Sequence, residues 1–115
     1  MANTFKQISK AGVTSADVIY TVAGSTTSVV LGLIIGNTQS SDITVTLTIE
    51  SDTASRAGNN DEANQSVELL TSTTIPANSS LEIMQGNKIV LETTDVVKLT
   101  ASAAADISIS VMEIT

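Results

Sequence analysis

The sequence predicts an all-β fold: an antiparallel β-sandwich of about eight strands, jelly-roll-like or Ig-like. Three observations predict it. Apolar and polar residues alternate with period two along most of the chain. Turn-forming clusters cut these runs at spacings of roughly eight to twelve residues. The connections are too short to carry crossover helices, so neighbouring strands should run antiparallel.

The elements follow in order. Residues 1–15 are weakly patterned and read as an N-terminal arm that holds Phe5, Ile8 and Val13. Residues 4–11 fit one short helical turn with Phe5 and Ile8 on one side. Residues 16–115 read as a single sandwich domain. Val18, Tyr20 and Val22 alternate as the first strand face, and Ala23-Gly24-Ser25 ends it. The cleanest strand is Ile43-Thr44-Val45-Thr46-Leu47-Thr48-Ile49, with aliphatics on one face and hydroxyls on the other. Ile75-Pro76-Ala77-Asn78 is a turn leading into the strand at Leu81. Gln85-Gly86-Asn87, between Leu81–Met84 and Lys88–Glu92, reads as a tight hairpin. Val97, Leu99 and Ala101 alternate next, then Ile107, Ile109 and Val111. Met112 and Ile114 fall out of phase with that last set, which suggests a bulge or a change of packing partner near Val111.

Two segments break the alternation. Val29-Val30-Leu31-Gly32-Leu33-Ile34-Ile35-Gly36 is apolar or small on both faces. A strand apolar on both faces is covered on both. Val29, Leu31, Leu33 and Ile35 supply the core face. Val30 and Ile34 need a second cover, either a loop or arm of the same chain or another subunit. With Phe5 and Ile8 of the arm, they are the candidate interface residues. The second segment, residues 50–65, is long and polar and should project from one end of the sandwich as a loop. It gathers Glu50, Asp52, Asp61 and Glu62, but the spacing does not match a calcium loop and reads as solvated.

Composition removes most chemistry. The chain has 115 residues, no Cys and no His, which excludes thiol nucleophiles, His-based triads and the usual zinc sites. No Ser-x-x-Lys motif occurs, and one Tyr, one Phe and no Trp leave little for a sugar-stacking platform. No enzymatic activity and no cofactor are expected. The formal net charge of −7 repels phosphate backbones and anionic membranes. The five cations, Lys6, Lys10, Arg56, Lys88 and Lys98, form no stripe. Neither nucleic acid nor membrane is expected as a partner. The first eight residues lack an apolar signal region, and the apolar run Val29–Ile35 is far short of the ~18 residues that span a bilayer.

Two blocks carry a resemblance. The first runs from Ile19-Tyr20-Thr21-Val22-Ala23-Gly24-Ser25 through Val29-Val30-Leu31-Gly32-Leu33-Ile34-Ile35-Gly36-Asn37. The second is Ile75-Pro76-Ala77-Asn78-Ser79-Ser80-Leu81-Glu82-Ile83, followed by Gly86, Lys88-Ile89-Val90-Leu91-Glu92 and Asp95. Together with the alternating C-terminal pair, they resemble small virion structural proteins of tailed bacteriophages, especially those of marine cyanobacteria. The resemblance covers most of residues 17–115 and rests on turn and strand patterns. The family usually has Gly where Asn78 stands, and Asn tolerates the same turn conformation. The resemblance implies a homo-oligomeric virion component, assembled in the host cytoplasm. The expected role is decoration of the capsid exterior, docked on the major capsid protein. A neck, tail or baseplate accessory is the close alternative, and a carbohydrate-binding adhesion module the more distant one.

Overall fold

The computed structural model describes residues 2–51, 65–84 and 86–115. Nine strands are formed among them: β1 (Asn3–Val13), β2 (Asp17–Thr21), β3 (Thr27–Asn37), β4 (Ile43–Ser51), β5 (Gln65–Ile75), β6 (Ser80–Glu82), β7 (Ile89–Leu91), β8 (Val96–Ala101) and β9 (Ala105–Ile114). They build two antiparallel sheets. Sheet A has the order β1-β9-β3-β6, with β7 also paired to β3, and sheet B has the order β2-β8-β4-β5. The chain changes sheet at almost every connection. With β6 and β7 counted as one interrupted strand, this is the strand order of a jelly roll.

The core lies between the sheets and is built by the period-two pattern. Ile107, Ile109 and Val111 of β9 and Leu33 and Ile35 of β3 face Val45 and Leu47 of β4 and Val97 and Leu99 of β8, all buried. Fully burying such a side chain contributes roughly 1.5–3 kcal/mol. Turns tie the layers together. Buried Asn37, at the end of β3, donates from Nδ2 to the carbonyls of Ser41 and Ile75 at 2.9 and 3.0 Å, joining the ends of β3 and β5. Its Oδ1 accepts from the Gln39 amide at 2.8 Å. Asn78 takes φ +57°, the left-handed conformation expected of it, and the Ser79 amide bonds the Pro76 carbonyl.

Four expectations change. Residues 4–11 are strand, not a helical turn: β1 pairs antiparallel along β9 from Asn3↔Ile114 to Lys10↔Ile107, so the arm is the edge of its own sheet. Among the described residues, the expected hairpin between the Leu81 and Lys88 segments does not form. β6 and β7 do not pair with each other but lie end to end along β3, with Ile34↔Glu82 and Val30↔Ile89. The phase change placed at Val111 lies on β3 instead. Alternation continues through β9 to buried Glu113, while β3 bulges between Val30 and Gly32, which oppose Val111 and Ser110. A second bulge, between Val18 and Tyr20, buries Ile19 and exposes Val18. The polar segment of residues 52–64, with Asp52, Asp61 and Glu62, and residue Gln85 lie outside the described residues.

Candidate functional site

The extra residue in β3 decides what the outer face of sheet A carries. Val30 precedes the bulge and points into the core, only 2% exposed. Ile34, after it, points outward and is 44% exposed. The two candidate interface residues thus lie on opposite faces, which corrects the expectation that they share one. Phe5 and Ile8 also separate. An odd spacing on a strand places side chains on opposite faces. Ile8 opposes Ile109 and packs against the core, whereas Phe5 is 72% exposed on the outside.

Strand register then assembles a row that no single segment reveals. Phe5 of β1 opposes Met112 of β9, Met112 opposes Val29 of β3, and Val29 opposes Val90 of β7. Four apolar side chains therefore lie side by side across the sheet, with Val90 59% exposed. Ile114 extends the patch one row further, where it opposes Asn3 and Thr27. Met112 and Ile114 left a trace in the sequence as the residues out of phase with Ile107–Val111. They are the outward face of a regular strand whose last inward position is Glu113.

Toward the other end of the same face, the next rows are Gln7–Ser110–Gly32 and then Ser9–Ser108–Ile34–Glu82. Beyond them lies an open hollow of about 490 Å³, lined by Ser9, Ala11, Ile34, Gly36, Asp106 and Ser108, among others. Gly36 helps form it: a Cβ there would meet only the Asp106 carbonyl oxygen, at 3.9 Å. Asp106 Oδ1 accepts from the Gly12 amide at 3.1 Å. Among the described residues, Glu82 and Asp106 are the only charged side chains at the outward paired positions of the sheet. Lys10, which also borders the hollow, has its ammonium 3.9 Å from Asp17 of β2.

Behind the apolar row, buried Glu113 anchors a charged network that reaches the surface at Lys6. Glu113 Oε2 accepts from the Tyr20 hydroxyl at 2.5 Å, and Glu113 Oε1 lies 2.9 Å from Lys6 Nζ. Ser28 Oγ is 3.0 Å from the same phenol oxygen. The bonds from Tyr20 and Lys6 hold the Glu113 carboxyl below the usual glutamate range. Burial, reinforced by the Glu113 hydrogen bond, pushes the Tyr20 phenol up to about 12. This network links β1, β9 and β3 of sheet A to β2 of sheet B. Among the described residues, no buried side-chain polar atom lacks a partner.

The outer face of sheet B is different. Thr44, Thr46 and Thr48 line β4, Thr46 Oγ1 accepts from the Ser72 amide at 3.0 Å, and Lys98 pairs with Glu50 at 3.0 Å. It is mainly a hydroxyl and charge surface, with Val18 exposed beside Lys98 and, among the described residues, no apolar row that crosses it from strand to strand.

No family model and no curated protein matches the chain. Among solved structures, it superposes on a protein of the Bacillus endospore appendages, a novel family of disulfide-linked pili. The TM-score is 0.51 at 17% identity, over 99% of this chain and 87% of that one. At that identity the likeness shows the fold, a two-sheet sandwich.

Proposed function

We propose that this chain is a non-enzymatic structural subunit that packs into a larger assembly through the outer face of sheet A, against copies of itself and partner proteins. The Phe5–Met112–Val29–Val90 row carries this reading. It is an apolar stripe spanning four strands on a chain whose formal charge is −7. Contiguous exposed apolar surface rimmed by polar residues marks sites of protein contact. The groups with displaced proton affinity, Tyr20 and Glu113, support it too: they are bonded to each other inside the sandwich rather than presented to a substrate.

The assembly is a phage particle on this reading. The resemblance of residues 17–115 to virion proteins of tailed bacteriophages favours it, with the chain decorating the capsid exterior on the major capsid protein. Neck, tail or baseplate placement is the alternative. A second reading, a subunit of a surface fibre, is favoured by the sandwich shared with the endospore appendage protein. In that case the subunits are not joined by disulfides, because this chain has no cysteine. Quantitative mass spectrometry of purified particles tests the first reading. A capsid decorator is present in hundreds of copies, a neck or tail component in tens at most. In either setting, Phe5→Asp combined with Met112→Asp should abolish incorporation while leaving the fold intact. Full incorporation of that variant would refute docking through this face.

A further inference from the structure

We propose that the occupant of the outer face of sheet A is the same face of a second copy, related by a two-fold axis running along the Gln7–Ser110–Gly32 row. This pairing rests on the reading of that face as a docking surface and names its partner.

Three observations lead there. The first is shape. The apolar row Phe5–Met112–Val29–Val90 lies two residues to one side of the Gln7–Ser110–Gly32 row, and Ser9–Ser108–Ile34 lies two residues to the other. A two-fold axis along the middle row exchanges these two sides. Phe5 of each copy then meets the rim of the hollow at Ser9 and Ser108 of the other, and Val29 meets Ile34. Residue i contacting j while j contacts i is what an isologous contact requires. The axis row is small, with Ser110 and Gly32 at its centre, so two sheets can approach closely. Gly36 adopts no left-handed φ, and its own chain leaves room for a side chain there. The absence of one keeps the hollow open.

The second observation is charge. Copies that each carry a formal charge of −7 repel one another, so they can meet only where carboxylates stay apart. Glu82 and Asp106 both lie on the hollow side of the axis. At ~3.4 Å per residue, the two-fold sets the Glu82 rows of the two copies ~14 Å apart and the Asp106 rows ~27 Å apart along the strands. Both separations exceed the Debye length of ~8 Å at physiological salt. A parallel stacking, hollow on hollow, would place these carboxylates together.

The third is size. Four strand positions at ~4.8 Å and strands of about ten residues give a face of roughly 650 Å². This approaches the ~800 Å² per partner of a stable interface.

The chain has no native cysteine, so a single introduced thiol reports one position. Ser110→Cys, treated with a short bis-maleimide, should give a covalent dimer in high yield, because Ser110 of one copy lies across the axis from Ser110 of the other. Thr100→Cys, on the outer face of sheet B, should give at least tenfold less. Adding Phe5→Ala or Gly36→Gln to Ser110→Cys should cut the dimer yield at least tenfold, with the melting temperature unchanged. A Ser110→Cys chain that stays uncross-linked while light scattering shows a dimer or larger species overturns the two-fold pairing and leaves the structural-subunit reading standing. A monomer by light scattering at millimolar concentration overturns the pairing as well, and incorporation into particles then decides the broader reading separately.

Discussion

The two sheets meet the same demand on the inside and opposite demands on the outside. Inward, β9 of sheet A and β4 of sheet B are interchangeable in kind: Ile107, Ile109 and Val111 face Ile43, Val45 and Leu47, all buried. Outward, β4 shows Thr44, Thr46 and Thr48, while β9 shows Ser108, Ser110, Met112 and Ile114. Sheet B is mainly polar outside, and its exposed apolar residues, Val18, Val67 and Leu69, do not line up across the strands as those of sheet A do. Sheet A becomes apolar from its middle row toward Phe5, and its strands hold those side chains in one line. On the proposed reading, core formation and docking are separate uses of one alternating pattern, and substitutions should separate them.

The largest effects should come from the shared interior and should not distinguish the sheets. Ile109→Ala in sheet A and Leu47→Ala in sheet B each remove a fully buried side chain. Each should cost about 2–5 kcal/mol in urea unfolding. A loss confined to one of them would mean the sheets do not share a single core.

Next comes the network that joins the sheets. Tyr20→Phe leaves the Glu113 carboxylate short of a donor in a buried setting and should cost about 1–3 kcal/mol. It should also flatten the pH dependence of stability. Because Glu113 is held below its ordinary range, its contribution is present above the unfolded glutamate value and is lost as the pH falls through the folded one. Tyr20 works at the alkaline end. Its phenol is raised from 10.0 to about 12, so its contribution is complete below pH 10 and is lost as the pH rises toward 12. Melting temperatures between pH 3 and 12 check both limbs, and an unchanged profile in Tyr20→Phe would place the pH sensitivity elsewhere.

Outer-face exchanges should be small for folding and unequal for association. Val29→Thr in sheet A and Thr100→Val in sheet B should each stay within about 0.5 kcal/mol in folding stability. Only Val29→Thr should weaken self-association in sedimentation. Lys98→Met, which removes the part-exposed pair with Glu50, should be comparably small for folding and without effect on association. A cost of about 0–1 kcal/mol, shrinking with added salt, is expected from unfolding in low and high salt.

Much of the fold was legible because alternation is local. Ile43–Ile49, Val97–Ala101 and Ile107–Val111 needed no neighbour to declare their faces. What was not legible depends on contacts distant in sequence. The bulges at Leu31 and Ile19 each insert one residue and put the side chains before them out of phase with those after, so Val30 faces the core although Ile34 faces out, and Val18 faces out although Tyr20 faces in. A bulge leaves no residue-type signature of its own. Glu113 hid the regularity of β9, because a charged residue at an inward position looks like a change of phase until Tyr20 and Lys6 are seen to satisfy it. Of the candidate interface residues, Phe5 and Ile34 lie on the exposed face, and Val30 and Ile8 serve the core. Met112, Val29 and Val90 joined the site only through the register of four strands.

Sedimentation of the unmodified chain beside Phe5→Asp and Thr100→Asp tests the central contrast most directly. Both substitutions add one carboxylate at an exposed strand position, on opposite outer faces. We expect the Phe5→Asp chain to run as a folded monomer and the Thr100→Asp chain to keep the mass of the unmodified protein. Equal masses for all three, or dissociation by Thr100→Asp instead, would contradict the assignment of docking to sheet A.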